Sequence, residues 1–258
     1  MFIGIANNST SGGVIRGSNR FNPATLSPAV WLDAQVTSSV VITSGAVSQW
    51  SDRSGNNRNA TQATSVNRPV LSTNQIGGFS AIVTDGVNDS LNVASWATVA
   101  QPFTRVLVFN PVVVTKGRWV SQSFPPTGTT DQGDFYYPTG ATNAIRLVAG
   151  LATGTDVSCV AGTNYIRVAE VNGASSNVYT NGTAAGVQSV GTQSLGGLAL
   201  AWDGVTVNTH SNTRYGEVLI FAGLLSTINR QKVEGYLAWK WNLQAGLPVG
   251  HPYKNGPP

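Results

Sequence analysis

The sequence predicts an all-β fold: two antiparallel sheets stacked as a jelly-roll sandwich, with one C-terminal helix and an extended N-terminal arm. Three observations carry this expectation. Apolar residues fall in short runs rich in Val, Ile and aromatics, as strands require. The chain holds 29 glycines among its 258 residues, many of them beside Asn or Asp in turn-forming pairs. Only one stretch, late in the chain, keeps apolar residues at helical spacing.

The elements follow in order. Residues 1–22 are rich in Gly, Ser and Asn and poor in apolar side chains, so they read as an arm preceding a domain over 23–258. The clearest strands are 40–42, 79–83, 105–109, 112–114, 145–148, 165–169 and 216–221. Between them Ser54-Gly55-Asn56, Asp85-Gly86, Asn172-Gly173 and Asn181-Gly182 supply turns. Val178-Tyr179-Thr180 followed by Asn181-Gly182 is the strongest hairpin signal, because Asn-Gly adopts the positive φ angles of a tight turn. A helix is expected over 226–241, with Ser226 as N-cap and Leu225 packing back on the first turn. Ile228, Val233, Tyr236, Leu237 and Trp241 would form its apolar face, and Arg230, Gln231, Glu234 and Lys240 its wet face. Gly246 and Pro248 end the regular structure.

Composition excludes several classes. Charged residues make up 10% of the chain, against about 25% in an average globular protein, which argues against coiled coils and charged disordered tails. The net charge of +4 is spread over long neutral stretches, and no helix gathers it on one face, so no nucleic-acid surface is expected. No apolar run reaches the roughly 18 residues of a membrane span. Residues 1–8 lack the basic and apolar regions of a secretory leader. The single Cys159 forbids an intrachain disulfide and reads as a small buried residue. Together these features suggest maturation in a reducing compartment.

Four motifs in order resemble one family. Trp50-Ser51-Asp52-Arg53-Ser54-Gly55-Asn56 matches a W-x-D-x-S-G-N opening. Arg68-Pro69-Val70-Leu71 followed by Asp85-Gly86-Val87-Asn88-Asp89-Ser90-Leu91 matches a second strand pair, and Asn177–Thr183 a v-Y-v-N-G hairpin. Tyr215–Phe221, the helix ending Trp239-Lys240-Trp241, and Gly250-His251-Pro252-Tyr253 match a strand, helix and G-H-P-Y tail. Over residues 27–255 the chain resembles the concanavalin A-like, laminin-G-like jelly-roll domains of the type found in bacteriophage virion proteins. The resemblance implies protein adhesion or carbohydrate binding, with hydrolases in some branches.

Glycoside hydrolysis needs two facing carboxylates. The three glutamates, Glu170, Glu217 and Glu234, are far apart in sequence, and the Glu-x-Asp-x-x-Glu strand of the family's hydrolytic branches is absent. No serine sits in a nucleophile elbow, and His210 and His251 read as loop residues. An enzyme is therefore not expected, and no cofactor. Asp85, Asn88 and Asp89 are the calcium candidates, since calcium takes oxygen ligands from such loops; Asp131 and Asp134 flank Gly133 in a second cluster. For carbohydrate, the candidates are Asp131, Asp134, Tyr136, Tyr137 and Trp202, aromatics beside hydrogen-bonding side chains.

The function expected from this reading is a non-enzymatic virion protein, a capsid decoration protein assembled in the host cytoplasm as a homo-oligomer, with a trimer the guess. Its partners would be the major capsid protein or other virion proteins. Phe2, Ile3, Ile5, Arg16, Arg20 and Phe21 would be its subunit or shell contacts, because an arm of this composition cannot offset its own ordering. Two alternatives stand beside it: a tail or fibre module that recognises host surface glycans, and a bacterial lectin-like or hydrolytic protein.

Overall fold

A computed structural model describes residues 20–94, 96–123, 132–137, 143–150, 154–202 and 208–258. The first strands are β1 (Val30–Asp33), β2 (Val40–Thr43), β3 (Ala46–Trp50), β4 (Ala60–Thr61), β5 (Val70–Ile76), β6 (Phe79–Val83) and β7 (Leu91–Val93). The central ones are β8 (Phe103–Pro111), β9 (Trp119–Gln122), β10 (Gln132–Tyr136), β11 (Ala144–Ala149), β12 (Val157–Ser158) and β13 (Tyr165–Val171). Then come β14 (Ser176–Thr180), β15 (Thr183–Gln188), β16 (Leu198–Leu200), β17 (Thr213–Phe221) and the helix α1 (Thr227–Lys240).

Two antiparallel sheets result, as the sequence predicts. One runs β15-β14-β13-β8-β17-β6-β5, with β1 also paired to β17; the other runs β12-β11-β10-β9-β16-β7-β4-β3-β2. All nine residues of β8 are buried. A strand with one wet face would alternate; β8 does not, because the second sheet covers one side and α1 covers the other. The β14–β15 hairpin turns at Asn181 (φ 49°) and Gly182 (φ 78°), both in the left-handed region that the Asn-Gly pair was expected to supply.

The W-x-D-x-S-G-N stretch turns out to be a staple. The Asp52 carboxylate accepts from the backbone N–H of Trp31, Ser54 and Arg58, each at 2.9 Å, and from the Ser54 hydroxyl at 2.7 Å. It thereby fixes β1 to the loop after β3. Cys159 is buried, and burial pushes its thiol up to about 12.

Helix α1 begins where expected. Ser226 caps it by accepting from the Asn229 N–H at 3.3 Å. Val233, Leu237 and Trp241 are buried and Tyr236 is half-buried, but Ile228 is 65% exposed and is not part of the apolar face. Arg230 and Glu234 are also not on the wet face: both are buried. They pair at 2.8 Å and carry the helix onto the sheet through Glu170, 3.5 Å from Arg230. His251 of the tail meets Glu234 at 3.1 Å. Burying charge along a helix is tolerated here because each charge has a partner.

Two other expectations are corrected. Residues 112–114 form no strand; the chain leaves the sheet after Pro111. Glu217 does not start a strand but lies in the middle of β17, where the register shifts between Tyr215 and Glu217. Without that bulge the two side chains would share a face. With it, Tyr215 points into the sandwich and donates to the Val120 carbonyl of the other sheet at 2.7 Å, while Glu217 turns to the helix. Among the described residues no helix is long and apolar enough to cross a membrane.

Candidate functional site

The residues singled out from sequence separate into four environments. Asp131, Phe2, Ile3, Ile5 and Arg16 lie outside the described residues.

Asp134 and Tyr136 are not a sugar surface. Both have no exposed area and sit between the sheets. Asp134 accepts from Arg105 Nε at 3.1 Å and Nη2 at 2.5 Å, and from Arg167 Nε at 2.8 Å. Burial alone would push this carboxyl up, but Arg105 and Arg167 hold it below its ordinary value. The Tyr136 hydroxyl meets Thr213 Oγ1 at 2.8 Å, and burial pushes the phenol well above its ordinary value. Strand alternation explains the pair: residues 134 and 136 share the inward face of β10. Tyr137, just past the strand, is half-buried, and its ring is covered by the Arg146 guanidinium at 3.6 Å. The Lys116 ammonium also lies over that ring, 4.6 Å from its centroid, so two cations already occupy it.

Asp85, Asn88 and Asp89 form a locked turn. Asp85 Oδ1 accepts from the backbone N–H of Val87 at 2.8 Å, and of Asn88 and Asp89 at 3.2 Å each. Asp89 Oδ2 accepts from the Asp85 N–H at 3.1 Å. The two carboxylates are thus committed to the loop's own backbone. Among the described residues no group of three or more His, Cys, Asp or Glu side chains is placed to hold a metal ion.

Phe21 is half-buried and turns to its own chain, with its ring edge-on to Tyr236 at 6.2 Å and its N–H donating to the Pro258 carbonyl at 3.1 Å. Arg20 beside it is exposed.

Trp202 is where the geometry converges. Its half-buried ring lies parallel to the His210 imidazole, with centroids 5.4 Å apart and planes 7° apart. It walls a pocket of about 280 Å³ together with Asn67, Asn88, Ser90 and Asn208. The locked Asp85–Asp89 turn sets the position of Asn88. Asn67 is tied to the same floor because its carbonyl accepts from the Ser90 N–H at 3.1 Å. Asn208 enters from the other side with φ 67°, a left-handed conformation that Asn tolerates better than most residues. The side-chain amides of Asn67, Asn88 and Asn208 make no hydrogen bond among the described residues. A fixed aromatic face and three uncommitted amides, each with donors and an acceptor, can hold a neutral polyhydroxylated ring. Sequence reading named Trp202 and, for another purpose, Asn88. Asn67 and Asn208 were missed, since Asn in a turn carries no mark that distinguishes a ligand contact from a turn former.

No protein-family model matches the sequence, and no curated protein is similar to it. Solved structures do match in shape. A Trypanosoma rangeli sialidase in complex with 2,3-difluorosialic acid superimposes with TM-score 0.52 at 15% identity, over 76% of this chain and 30% of the sialidase. Domain 4 of AbnA, a GH43 extracellular arabinanase from Geobacillus stearothermophilus, in complex with arabinotriose, gives 0.51 at 16% identity, over 68% and 88%. The binding domain of botulinum neurotoxin serotype D gives 0.53 at 11% identity, over 83% and 52%. The chain thus spans about a third of the sialidase chains it matches. What these proteins share with it is the β-sandwich fold, in keeping with the jelly-roll architecture; no link to a bacteriophage particle comes from them.

One expectation is overturned by these neighbours. The chain was not expected to be an enzyme, yet sialidases and a domain of a GH43 arabinanase stand among the structures that share its fold. The missing Glu-x-Asp-x-x-Glu strand and nucleophile elbow excluded two particular catalytic arrangements. They did not exclude enzymes as a class, because catalytic groups are set by three-dimensional placement and not by one sequence pattern.

Proposed function

We propose that this protein is a carbohydrate-binding module that holds a neutral sugar in the Trp202 pocket. The observation that carries the reading is the Trp202 ring, fixed against His210, beside the uncommitted amides of Asn67, Asn88 and Asn208. A sugar ring laid on the indole would bury its apolar face, and its hydroxyls would meet the amides. Among the described residues no Asp, Glu, Lys or Arg lines the pocket, which favours an uncharged ligand. The arabinanase domain supports the reading by analogy: most of that domain matches this chain, and it was solved with arabinotriose bound.

Titration with neutral oligosaccharides, arabinotriose first, followed by intrinsic tryptophan fluorescence and calorimetry, tests it. Binding is expected in the protein as it stands, with Trp202→Ala weakening it about tenfold or more through loss of the stacking face. Asn88→Ala should weaken it without disturbing the fold. Absence of binding across a neutral glycan panel, or binding indifferent to Trp202→Ala, would overturn the reading.

A further inference from the structure

Three Asn-Gly pairs stand in the sequence, at 172–173, 181–182 and 255–256. In such a pair the glycine nitrogen can attack the asparagine side-chain carbon, because no Cβ hinders the approach. This reaction is one reason that asparagine counts as thermolabile. Sequence reading named the first two pairs as turns and did not single out the third. By residue type the three are equivalent; by surroundings they are not.

Two of the pairs are locked. Asn181 Oδ1 accepts from the Ile166 N–H at 2.8 Å, and the Asn181 N–H donates back to the Ile166 carbonyl at 2.8 Å. Its side chain cannot swing onto the next nitrogen without breaking the tie to β13. At Asn172 the nucleophile itself is engaged, since the Gly173 N–H donates to Gln101 Oε1 at 2.6 Å. Gln101 is anchored in turn, its Nε2 donating to the Gly191 and Gln193 carbonyls at 3.1 and 2.7 Å.

Asn255 has neither restraint. It is exposed in the tail after α1. Neither its side chain nor the Gly256 N–H makes a hydrogen bond among the described residues. A Cβ placed on Gly256 would meet nothing within 4 Å. The tail is anchored on either side of the pair. Lys254 Nζ donates to the Ala245 and Leu247 carbonyls at 2.6 and 2.8 Å, and the Pro258 carbonyl accepts from the Phe21 N–H at 3.1 Å. The reactive pair is the untied span between.

We propose that Asn255 is a modification site, where the side-chain amide is lost through a cyclic imide to give aspartate and isoaspartate. The Gly256 nitrogen gives its proton to base and bonds to Asn255 Cγ. The bond from Cγ to the side-chain nitrogen breaks, and ammonia leaves. Water then opens the ring at either of its two carbonyls. One opening restores the ordinary main chain with an aspartate; the other leaves a main chain longer by one carbon. Both products carry a carboxylate that asparagine lacks. Pro257 and Pro258 follow directly, and they close one side of a pocket of about 480 Å³ walled by Phe21, Tyr236 and Trp239. The conversion therefore changes charge and chain length at the rim of that pocket.

The experiment ages the full chain at mildly alkaline pH, then digests it in mild acid. Peptide mass spectrometry reads the fraction converted at each pair, and methyl transfer by an isoaspartate-specific methyltransferase reads the lengthened product. Conversion at Asn255 should run at least about tenfold faster than at Asn172 or Asn181, because no hydrogen bond has to break first. In urea the three rates should converge, since the folded surroundings are what separates them. Gly256→Ala should slow the reaction at Asn255 while leaving the melting temperature unchanged, as the added methyl has room. Asn255→Gln should remove the methyl acceptor. Equal conversion at the three pairs in the folded chain, faster conversion at Asn172 or Asn181, or a difference that persists unchanged in urea would each overturn the proposal.

Discussion

Asp134 and Glu217 lie on opposite sides of the eight-stranded sheet, and each is a fully buried carboxylate among cations. They differ in their accounts. Around Asp134 there are two guanidiniums for one acid. Among the described residues Arg167 Nη1 and Nη2 and Gln132 Nε2 find no acceptor; Gln132 Oε1 takes one N–H of Arg105 at 3.2 Å, so donors are in surplus and Asp134 is the one anion that answers them. Around Glu217 the numbers balance: Lys240 and Arg53 face Asp33 and Glu217, and two indole N–H groups and a phenol fill the remaining positions. The same residue type in the same degree of burial therefore has different consequences for stability. Between the sheets the acid is irreplaceable; under the helix its neighbours share the task.

The largest effect expected follows from that surplus. Asp134→Asn leaves Arg105 and Arg167 buried with no counter-charge, and should cost about 3–5 kcal/mol in urea unfolding. The pH dependence has a definite sign. The folded carboxyl is held below its ordinary value by Arg105 and Arg167 against the effect of burial. Its stabilisation is then fully present above the unfolded value near 4 and is lost as pH falls through the lower folded value. The gap between native and variant should stay level from neutral pH down to about 4. A cost below about 1 kcal/mol would show that the two arginines are satisfied some other way, and the contrast with Glu217 would break.

A smaller loss is expected at the balanced cluster. Glu217→Gln keeps one acceptor oxygen and sets an amide against donors on the other side, while Lys240 retains Asp33 at 2.6 Å. About 1–3 kcal/mol is expected, below the cost at Asp134. Here burial pushes the carboxyl up, Lys240 opposes it and Asp33 adds to it, for a net raised value. The folded state then binds the proton more tightly than the unfolded chain, so native stability should rise as pH falls through the folded value, and the glutamine variant should lack that rise. Chemical unfolding of both proteins across mildly acidic pH reads the difference. Equal losses at Asp134 and Glu217 would mean that charge balance is not what separates the two clusters.

How much of this was legible beforehand depends on the kind of signal. The hairpin at Asn181-Gly182 and the cap at Ser226 were legible because local geometry restricts the residue types that can stand there. The two-sheet architecture followed from strand lengths and turns. The Asp52 motif was legible as a pattern, but its role as a staple needed Trp31, 21 positions away, to be seen in place. Asp134 with Tyr136 looked like a polar, aromatic loop because their partners, Arg105, Arg167 and Thr213, come from other strands. Glu234 looked solvated because it is charged, although helical spacing puts it on the same side as Leu237, three residues on; sequence could not show that Arg230, held by Glu170 of β13, and His251 of the tail are its partners there. Half of the Trp202 pocket was visible in the indole; its asparagines look the same as turn formers. The pocket beside Trp239 was invisible because its walls come from residues 20–35 and 236–258.

A third carboxylate sharpens the comparison further, because it has no cation partner among the described residues. Asp89 sits in the turn that forms the Trp202 pocket floor and exposes only 8% of its surface. Burial, and next the neighbouring Asp85, push its carboxyl up to about 6, against the pull of a backbone hydrogen bond from Asp85. The folded state therefore holds this proton at pH values where the unfolded chain has lost it, and native stability should fall as pH rises from about 4 to about 6. Above that window the charge is a standing cost, reduced by the solvent that still reaches the turn. Asp89→Asn removes the charge and keeps a side-chain oxygen for the Asp85 N–H. It should stabilise the protein by about 1 kcal/mol at pH 7 and flatten that segment of the pH profile. The sign is the informative part: replacing an acid with its amide should destabilise at Asp134 and at Glu217 but stabilise at Asp89, where the nearest charge is another carboxylate. Thermal melts of Asp89→Asn and the native chain at pH 4.5 and pH 7 measure it. A variant less stable than the native chain at pH 7 would mean that the hydrogen bond to Asp85 outweighs the charge, and that charge balance alone does not rank the three sites.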